Sequence, residues 1–355
     1  MTNAHVAIVG SGSLALETVC ALAGIQGEGL VSVVARSSQS ANRVAKIGSL
    51  RAWAAGSRRR FVGAGLADLS QSVEDLAADV VVLMASLQSP WEADDRPSAW
   101  TDAMLRCGVA LTLPLQASLA LEVGASVART GGLFVNACLP DLVNPLLVAA
   151  EVPVLTGVGN VGVLALGAAE ALGAPLASLS VLGHHVHLDR PADNVSEALV
   201  WTADAAPVDA AAALTAIRGV PRRLRNRLTG LVSAQVVVAL ADALPLDTSV
   251  PGPHGLPGGY PVRIRDRMVD PVPPPGWSLE RCVAINDEWS RADGVRVLNR
   301  SVVISEHVRP ALALVAPWLA AGFDVRDTDH VVADLLRTRR EFRKESGRNT
   351  ACLTA

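Results

Sequence analysis

His5-Val6-Ala7-Ile8-Val9-Gly10-Ser11-Gly12-Ser13-Leu14-Ala15, near the start of the 355-residue sequence, decides how the rest is read. Residues 5–9 suit a short buried strand, and the apolar-rich residues 16–23 suit a helix. Between them stands Gly-x-Gly-x-x-Ala. Gly10 permits a tight turn, Gly12 lets backbone approach a pyrophosphate, and Ala15 lets helix and strand pack closely. The unpaired N–H groups and positive end of the helix dipole then face the phosphates. Ser11, Ser13 and Leu14 complete this cradle. The plainer reading is a glycine-rich turn without a ligand.

A second strand is expected over residues 30–35. Its end, Ala35-Arg36-Ser37-Ser38, offers no carboxylate to a ribose 2′-hydroxyl. A cation with two hydroxyls suits a 2′-phosphate instead, so NADP(H) is expected over NAD. The alternative is that Arg36 is a solvated strand-end charge. Apolar runs at 80–85, 133–136 and 154–158 read as further strands buried on both faces. Helices are expected at 40–54, 99–129 with a break at Pro114, and 161–172. Strand–helix alternation predicts an α/β protein, a Rossmann-type doubly wound parallel sheet. Its ligand crevice lies off the carboxyl ends of the strands, which gathers Gly10, Arg36, Ala85 and Asn136 around one cleft.

Composition agrees with a packed core. Half of the residues are hydrophobic but only 3% are aromatic, so the apolar weight lies in Ala, Val and Leu. Disordered and fibrous classes are excluded. The longest uncharged stretch, 152–169, is interrupted by Pro153, Gly157, Gly159, Asn160, Gly162 and Gly167, which suits a membrane span poorly. A net charge of −3 gives no basic face for nucleic acid. Five scattered cysteines without CxxC spacing, and no apolar leader at the N-terminus, predict a reduced cytoplasmic protein.

Beyond the first sheet the chain carries an ordered set of turns. Leu133-Phe134-Val135-Asn136 precedes Leu139-Pro140-Asp141-Leu142-Val143-Asn144-Pro145. Then come Leu155-Thr156-Gly157-Val158-Gly159, Val181-Leu182-Gly183-His184-His185, and Leu256-Pro257-Gly258-Gly259-Tyr260-Pro261-Val262. Over roughly residues 5–297 this order resembles the lactate/malate dehydrogenase superfamily and its NAD-dependent glycosidase relatives. The resemblance implies a homodimer with a dinucleotide-binding domain (1–150) followed by an α+β substrate and dimerisation domain (151–297). It implies that His185 is the catalytic acid/base and that Asn136 positions substrate and nicotinamide. It further implies that 88–99 is a loop closing over the cleft, with Arg96 polarising the reacting bond.

The departures are equally specific. The family carries an Asp that orients the histidine and, three residues later, an Arg that grips a substrate carboxylate. Here that helix reads Asn160-Val161-Gly162-Val163-Leu164-Ala165-Leu166, with neither. A simple 2-oxo acid has no clamp, and His185 lacks its usual partner. If Gly183-His184-His185-Val186-His187 is extended, His185 and His187 share a face and His184 points away. The cluster then reads as a general acid/base, as polar turn residues, or as a zinc site completed by Cys138 or Asp141; no metal is assigned. Cys138 reads as filler or proton donor, and Asp141 either orients a histidine or, as the preferred reading, caps the helix from Leu142. His254 lies in a loop that either approaches the cleft or, as the preferred reading, carries no chemistry.

The second half should hold strands at 178–182 and 198–202, a helix at 207–217, and a long helix at 221–244. Arg222, Arg223, Arg225 and Arg227 crowd the start of the long helix, as a solvated face or as a dock for an anionic substrate. Residues 298–355 read as a helical extension (310–321 and 329–344) with a disordered tail from 345. The expected activity is reduction by NADPH of a C=O, C=N or activated C=C bond in a specialised, small-molecule or peptide-borne substrate. The alternatives are an inactive NADP(H)-binding sensor and a redox-neutral enzyme.

Overall fold

The computed structural model describes residues 4–66, 68–204 and 206–352, with side chains as far as 344. In chain order, the first half runs β1 (His5–Val9), α1 (Ser13–Gly24), β2 (Leu30–Ala35), α2 (Ser38–Ala55), β3 (Arg60–Gly65), α3 (Leu69–Leu76) and β4 (Val80–Leu83). It continues with α4 (Glu92–Asp95), α5 (Ala99–Cys107), α6 (Val109–Thr130), β5 (Leu133–Asn136), α7 (Pro140–Ala149), β6 (Thr156–Gly157) and α8 (Asn160–Leu172). The six strands form one parallel sheet in the order β3-β2-β1-β4-β5-β6. The strand order reverses between β1 and β4, so the crevice opens there.

Alternation along the strands divides the core. Val6, Ile8, Val31, Val33, Val80 and Val82 pack with Ala15 and Val19 of α1 on one face. Ala7, Val9, Val81 and Leu83 pack with Leu111, Leu113, Leu142 and Leu146 on the other. Helix α6 is long and apolar enough to cross a membrane, but it lies against this second face and most of its apolar window is buried.

Strand β3 was not expected. Its Arg-Phe-Val-Gly-Ala-Gly sequence lacks an apolar run, yet it pairs with β2 from Leu30↔Arg60 to Ala35↔Gly65. Gly63 is needed because a Cβ there would stand 2.5 Å from the backbone nitrogen of Asn42. The helix expected over 99–129 breaks at Gly108 (φ 58°, ψ −148°), not at Pro114, which lies inside α6.

The second half comprises β7 (Leu179–Leu182), β8 (Leu199–Thr202), β9 (Pro207–Val208), α9 (Ala210–Ala213), α10 (Thr215–Gly219) and α11 (Arg222–Ala241). It goes on with β10 (Leu246–Pro251), β11 (Gly259–Arg265), β12 (Met268–Pro271) and α12 (Leu279–Ala292). The expected helix at 207–217 is thus a short strand and two single turns, started by Asp209 accepting the Ala212 N–H. Two antiparallel three-stranded sheets, β7-β8-β9 and β10-β11-β12, give this half the expected α+β character.

The extension contains β13 (Val295–Leu298), β14 (Ser301–Ile304), α13 (Arg309–Ala313), β15 (Phe323–Asp324) and α14 (Thr328–Cys352). It is therefore not all helical. Val302, Ile304, Leu312, Leu319 and Leu335 join the core beneath α5 and α6. Helix α14 continues past Lys344 to Cys352; residues 353–355 of the expected tail lie outside the described residues.

Candidate active site

The β1–α1 turn has the geometry that a pyrophosphate needs. Gly10 has φ 137°, and a Cβ there would stand 2.7 Å from the Met84 carbonyl oxygen. A Cβ on Gly12 would meet nothing within 4 Å, so the space above it is open. No side chain caps α1, whose first N–H groups face that space. Ala15 is fully buried between helix and sheet. Arg36 is exposed at the end of β2. Ser37 caps α2 by accepting the Ser40 N–H at 3.3 Å, and Ser38 is that helix's first residue. Ala85 follows β4, and its carbonyl accepts the Cys138 thiol at 3.1 Å. Burial pushes that thiol up to about 12, so Cys138 is a filler with a donor and not a proton source.

Asn136 is completely buried at the end of β5. Its amide donates to Asn144 Oδ1 at 2.8 Å and to the Cys138 carbonyl at 3.2 Å, and its oxygen accepts the Cys138 N–H at 2.9 Å. The side chain is engaged in holding the β5–α7 turn. Leu139, in the left-handed region at φ 46°, takes the N-cap position of α7, which corrects the capping role expected for Asp141. Asp141 is instead fully buried and accepts from Asn160 Nδ2 at 2.5 Å, while its Oδ1 has no partner.

The histidine segment is not extended. Residues His185–Leu188 form a 3-10 turn, which corrects the alternation expected for a strand. His184 and His187 are buried, and His185 keeps 32% of its side chain exposed. His187 Nδ1 accepts the His184 N–H at 2.9 Å and its Nε2 donates to the Ser196 carbonyl at 3.0 Å, which fixes a neutral tautomer. Burial drives its pKa down to about 4. No group of three His, Cys, Asp or Glu side chains is arranged for a metal among the described residues.

Sequence reasoning missed Asp293. This residue closes α12, and its Oδ2 stands 3.0 Å from His185 Nδ1 and 3.8 Å from His184 Nδ1. Burial disfavours a charged His185, but the charge and hydrogen bond of Asp293, helped by Asp141, push its pKa up to about 9. The imidazolium holds Asp293 below the usual carboxylate range despite burial. Nδ1 therefore donates to the carboxylate, and Nε2 is left to meet a substrate. A signal existed in the sequence: a carboxylate at a helix C-terminus opposes the dipole unless a cation sits beside it.

The expected closing loop is folded down as a short helix. Trp91 Nε1 donates to Ser13 Oγ at 3.2 Å, and buried Glu92 accepts from Arg343 Nε of α14 at 2.9 Å. Arg96 follows α4 on the exposed surface and enters none of the described ion pairs. Arg222 and Arg223 of α11, and not Arg96, stack on Trp91, at 5.1 and 5.0 Å from the ring centre. His254 lies away from the histidine turn, its Nε2 bonded to the Val269 carbonyl at 2.5 Å.

The six-stranded parallel sheet with its flanking helices and the additional antiparallel sheets has the fold of lactate and malate dehydrogenases. Among solved structures, a lactate dehydrogenase from a Medee basin deep-sea metagenome library matches with TM-score 0.53 and 13% identity, over 88% of this chain and 98% of that one. Malate dehydrogenase from Archaeoglobus fulgidus, in complex with NADH, matches with TM-score 0.53 and 16% identity, over 81% and 98%. The Cryptosporidium parvum lactate dehydrogenase, with lactic acid and nicotinamide adenine dinucleotide, matches at 0.53 and 13%, over 82% and 96%. No family profile and no curated protein matches the sequence.

Proposed function

We propose that this protein is an NADPH-dependent oxidoreductase. It reduces a C=O, C=N or activated C=C bond in a specialised small-molecule or peptide-borne substrate that is not a simple 2-oxo acid. The observation that carries the reading is the His185–Asp293 pair, beside a crevice whose first turn fits a dinucleotide. A bound nicotinamide cofactor supplies hydride. The chain's own part is to hold the pyrophosphate on Gly10, Ser11, Gly12, Ser13 and Leu14, and to deliver a proton from His185 Nε2. Arg36, with the uncapped N–H groups of Ser38 and Gln39 at the α2 N-terminus, supports a 2′-phosphate and hence NADP(H). Asn136 acts as a positioning residue through the β5–α7 turn, and Arg96 as a mobile-loop cation if that loop lifts. Cys20, Cys107, Cys138 and Cys282 are free thiols, which supports a reducing, cytoplasmic setting. Exposed Leu50 and Trp53 on α2, 57% and 88% accessible, support a homodimer.

One observation favours a second reading, an inactive NADP(H)-binding sensor: the first turns of α8, residues 160–166, hold neither the Asp nor the Arg that the resemblance implies. The test is titration with NADPH and then a screen of carbonyl and imine compounds, following NADPH oxidation. We expect NADPH to bind, and His185→Gln to retain binding while losing about 100-fold or more in turnover. Absence of NADPH binding overturns the proposal. Unchanged turnover in His185→Gln removes the histidine, and binding without any turnover selects the sensor.

A further inference from the structure

Four arginines crowd the first two turns of α11, and three of them have carboxylate partners. Arg223 pairs with Asp95 at 2.6 Å, Arg225 with Asp189 at 2.8 Å, and Arg227 with Glu17 at 3.7 Å. The Arg222 side chain is exposed and has no ion pair or hydrogen bond among the described residues. Its one partner is the Trp91 ring, 5.1 Å away, and Trp91 in turn reaches Ser13 on the dinucleotide turn.

The other flank of Arg222 is the histidine turn. Arg225, one turn along the same face, donates to the Leu188 carbonyl that ends the His185–Leu188 turn. Arg222 is also close enough for its charge to act on His185. An unpaired guanidinium is thus held between the turn that fits a dinucleotide and the acid/base histidine. On the oxidoreductase reading, a substrate that meets both the cofactor and His185 passes this guanidinium. On the opposite side, α8 presents only apolar side chains in its first two turns after Asn160.

We propose that Arg222 is the specificity residue of the site and binds an oxyanion on the substrate, a carboxylate or a phosphate. This rests on the oxidoreductase reading. The guanidinium grips such a group bidentately, and stacking on Trp91 fixes its plane. Because the grip comes from α11 and not from α8, the substrate carries its anion elsewhere than a simple 2-oxo acid does. The three neighbouring ion pairs hold the helix terminus in place without neutralising this cation.

The test uses the full chain loaded with NADPH, titrated calorimetrically with oxalate in one arm and inorganic phosphate in the other. We expect one of the two to bind, which identifies the kind of anion. Arg222→Ala should weaken that binding by about tenfold or more, and leave NADPH affinity within about twofold. Arg222→Lys should recover part of the anion affinity. If neither anion binds the wild-type complex, or Arg222→Ala binds the anion as well as wild type, the proposal is overturned. If Arg222→Ala weakens NADPH in step, the arginine serves the cofactor and the proposal is again overturned. If wild type binds no NADPH, the oxidoreductase reading itself falls.

Discussion

At the scale of single residues, the site depends on a carboxylate from a different element than the resemblance suggests. Helix α8 carries neither the Asp nor the Arg that the resemblance implies over 160–166, and Asp293 reaches His185 from the end of α12, 108 residues further along. Two consequences follow for pH. His185 has a folded pKa near 9 against an ordinary 6.5, so its contribution to stability is complete below about 6.5 and is lost as pH rises through about 9. Asp293 is held below its ordinary 3.8, so its own contribution is present above 3.8 and is lost on acidification. In the proposed proton-donor role His185 must be protonated, so the basic limb of kcat/KM should fall near pH 9. Asp293→Asn removes the charge and should move that limb towards neutrality, with activity at pH 8 reduced by about tenfold or more. A limb that stays near 9 in the variant would refute the pairing. The candidate histidine was legible because Gly-x-His is a local pattern. Its partner was legible only as a carboxylate at a helix C-terminus that calls for a nearby cation; which cation was not, because a contact spanning 108 residues leaves no spacing to read.

At the scale of elements, α4 and α14 form a single device. The segment after β4 resembles a mobile loop by position, but here Gln88 and Glu92 are buried and tied to the C-terminal helix. Arg339 donates to the Leu87 carbonyl at 2.7 Å, Arg343 Nε to Glu92 at 2.9 Å, and Trp100 Nε1 to Gln88 at 3.0 Å. Trp91 is held between this anchor and Ser13, so α14 restrains the cover of the cleft. Arg343 is 41% exposed, so solvent weakens its share, while Glu92 at 7% keeps the cost of being left unpaired. Arg343→Ala should therefore destabilise the protein by about 1–2 kcal/mol and release the 86–96 segment. Denaturant unfolding measures the first effect and amide hydrogen exchange the second. Unaltered exchange across 86–96 would show that α14 does not hold the loop. In the sequence, the arginines of α14 read only as charges suited to a helix C-terminus, because their partners lie about 250 residues away.

At the scale of the whole molecule, the elements that were legible are those whose function forces a local pattern. The dinucleotide turn needs two glycines and a small residue within six positions, and both-face burial forces the apolar runs of β1, β2 and β4. Strand β3 escaped because it lies at the sheet edge, with one face partly open, and its glycines serve the close approach of α2. The sheet β13-β14-β15 escaped because short antiparallel strands give no run long enough to distinguish from a loop. The same division locates the last prediction. The proposed dinucleotide would touch β1, α1, β2 and α2 at once, so it should stabilise the sheet edge together with its centre. A ligand at 100 times its dissociation constant adds about 2.7 kcal/mol to stability. In a chain of this size that raises Tm by about 3–4 °C. If the proposed role of Arg36 holds, NADPH should produce this shift at a lower concentration than NADH, because Arg36 and the α2 terminus would meet the 2′-phosphate. Arg36→Ala removes a charge-assisted contact of about 1.5–3 kcal/mol, and should therefore erase the preference while leaving the NADH shift nearly unchanged. Thermal melts of wild type and variant with each nucleotide decide the matter. An equal response of the wild-type protein to NADH and NADPH would refute the assignment of Arg36, and the dinucleotide site would then rest on its glycine turn alone.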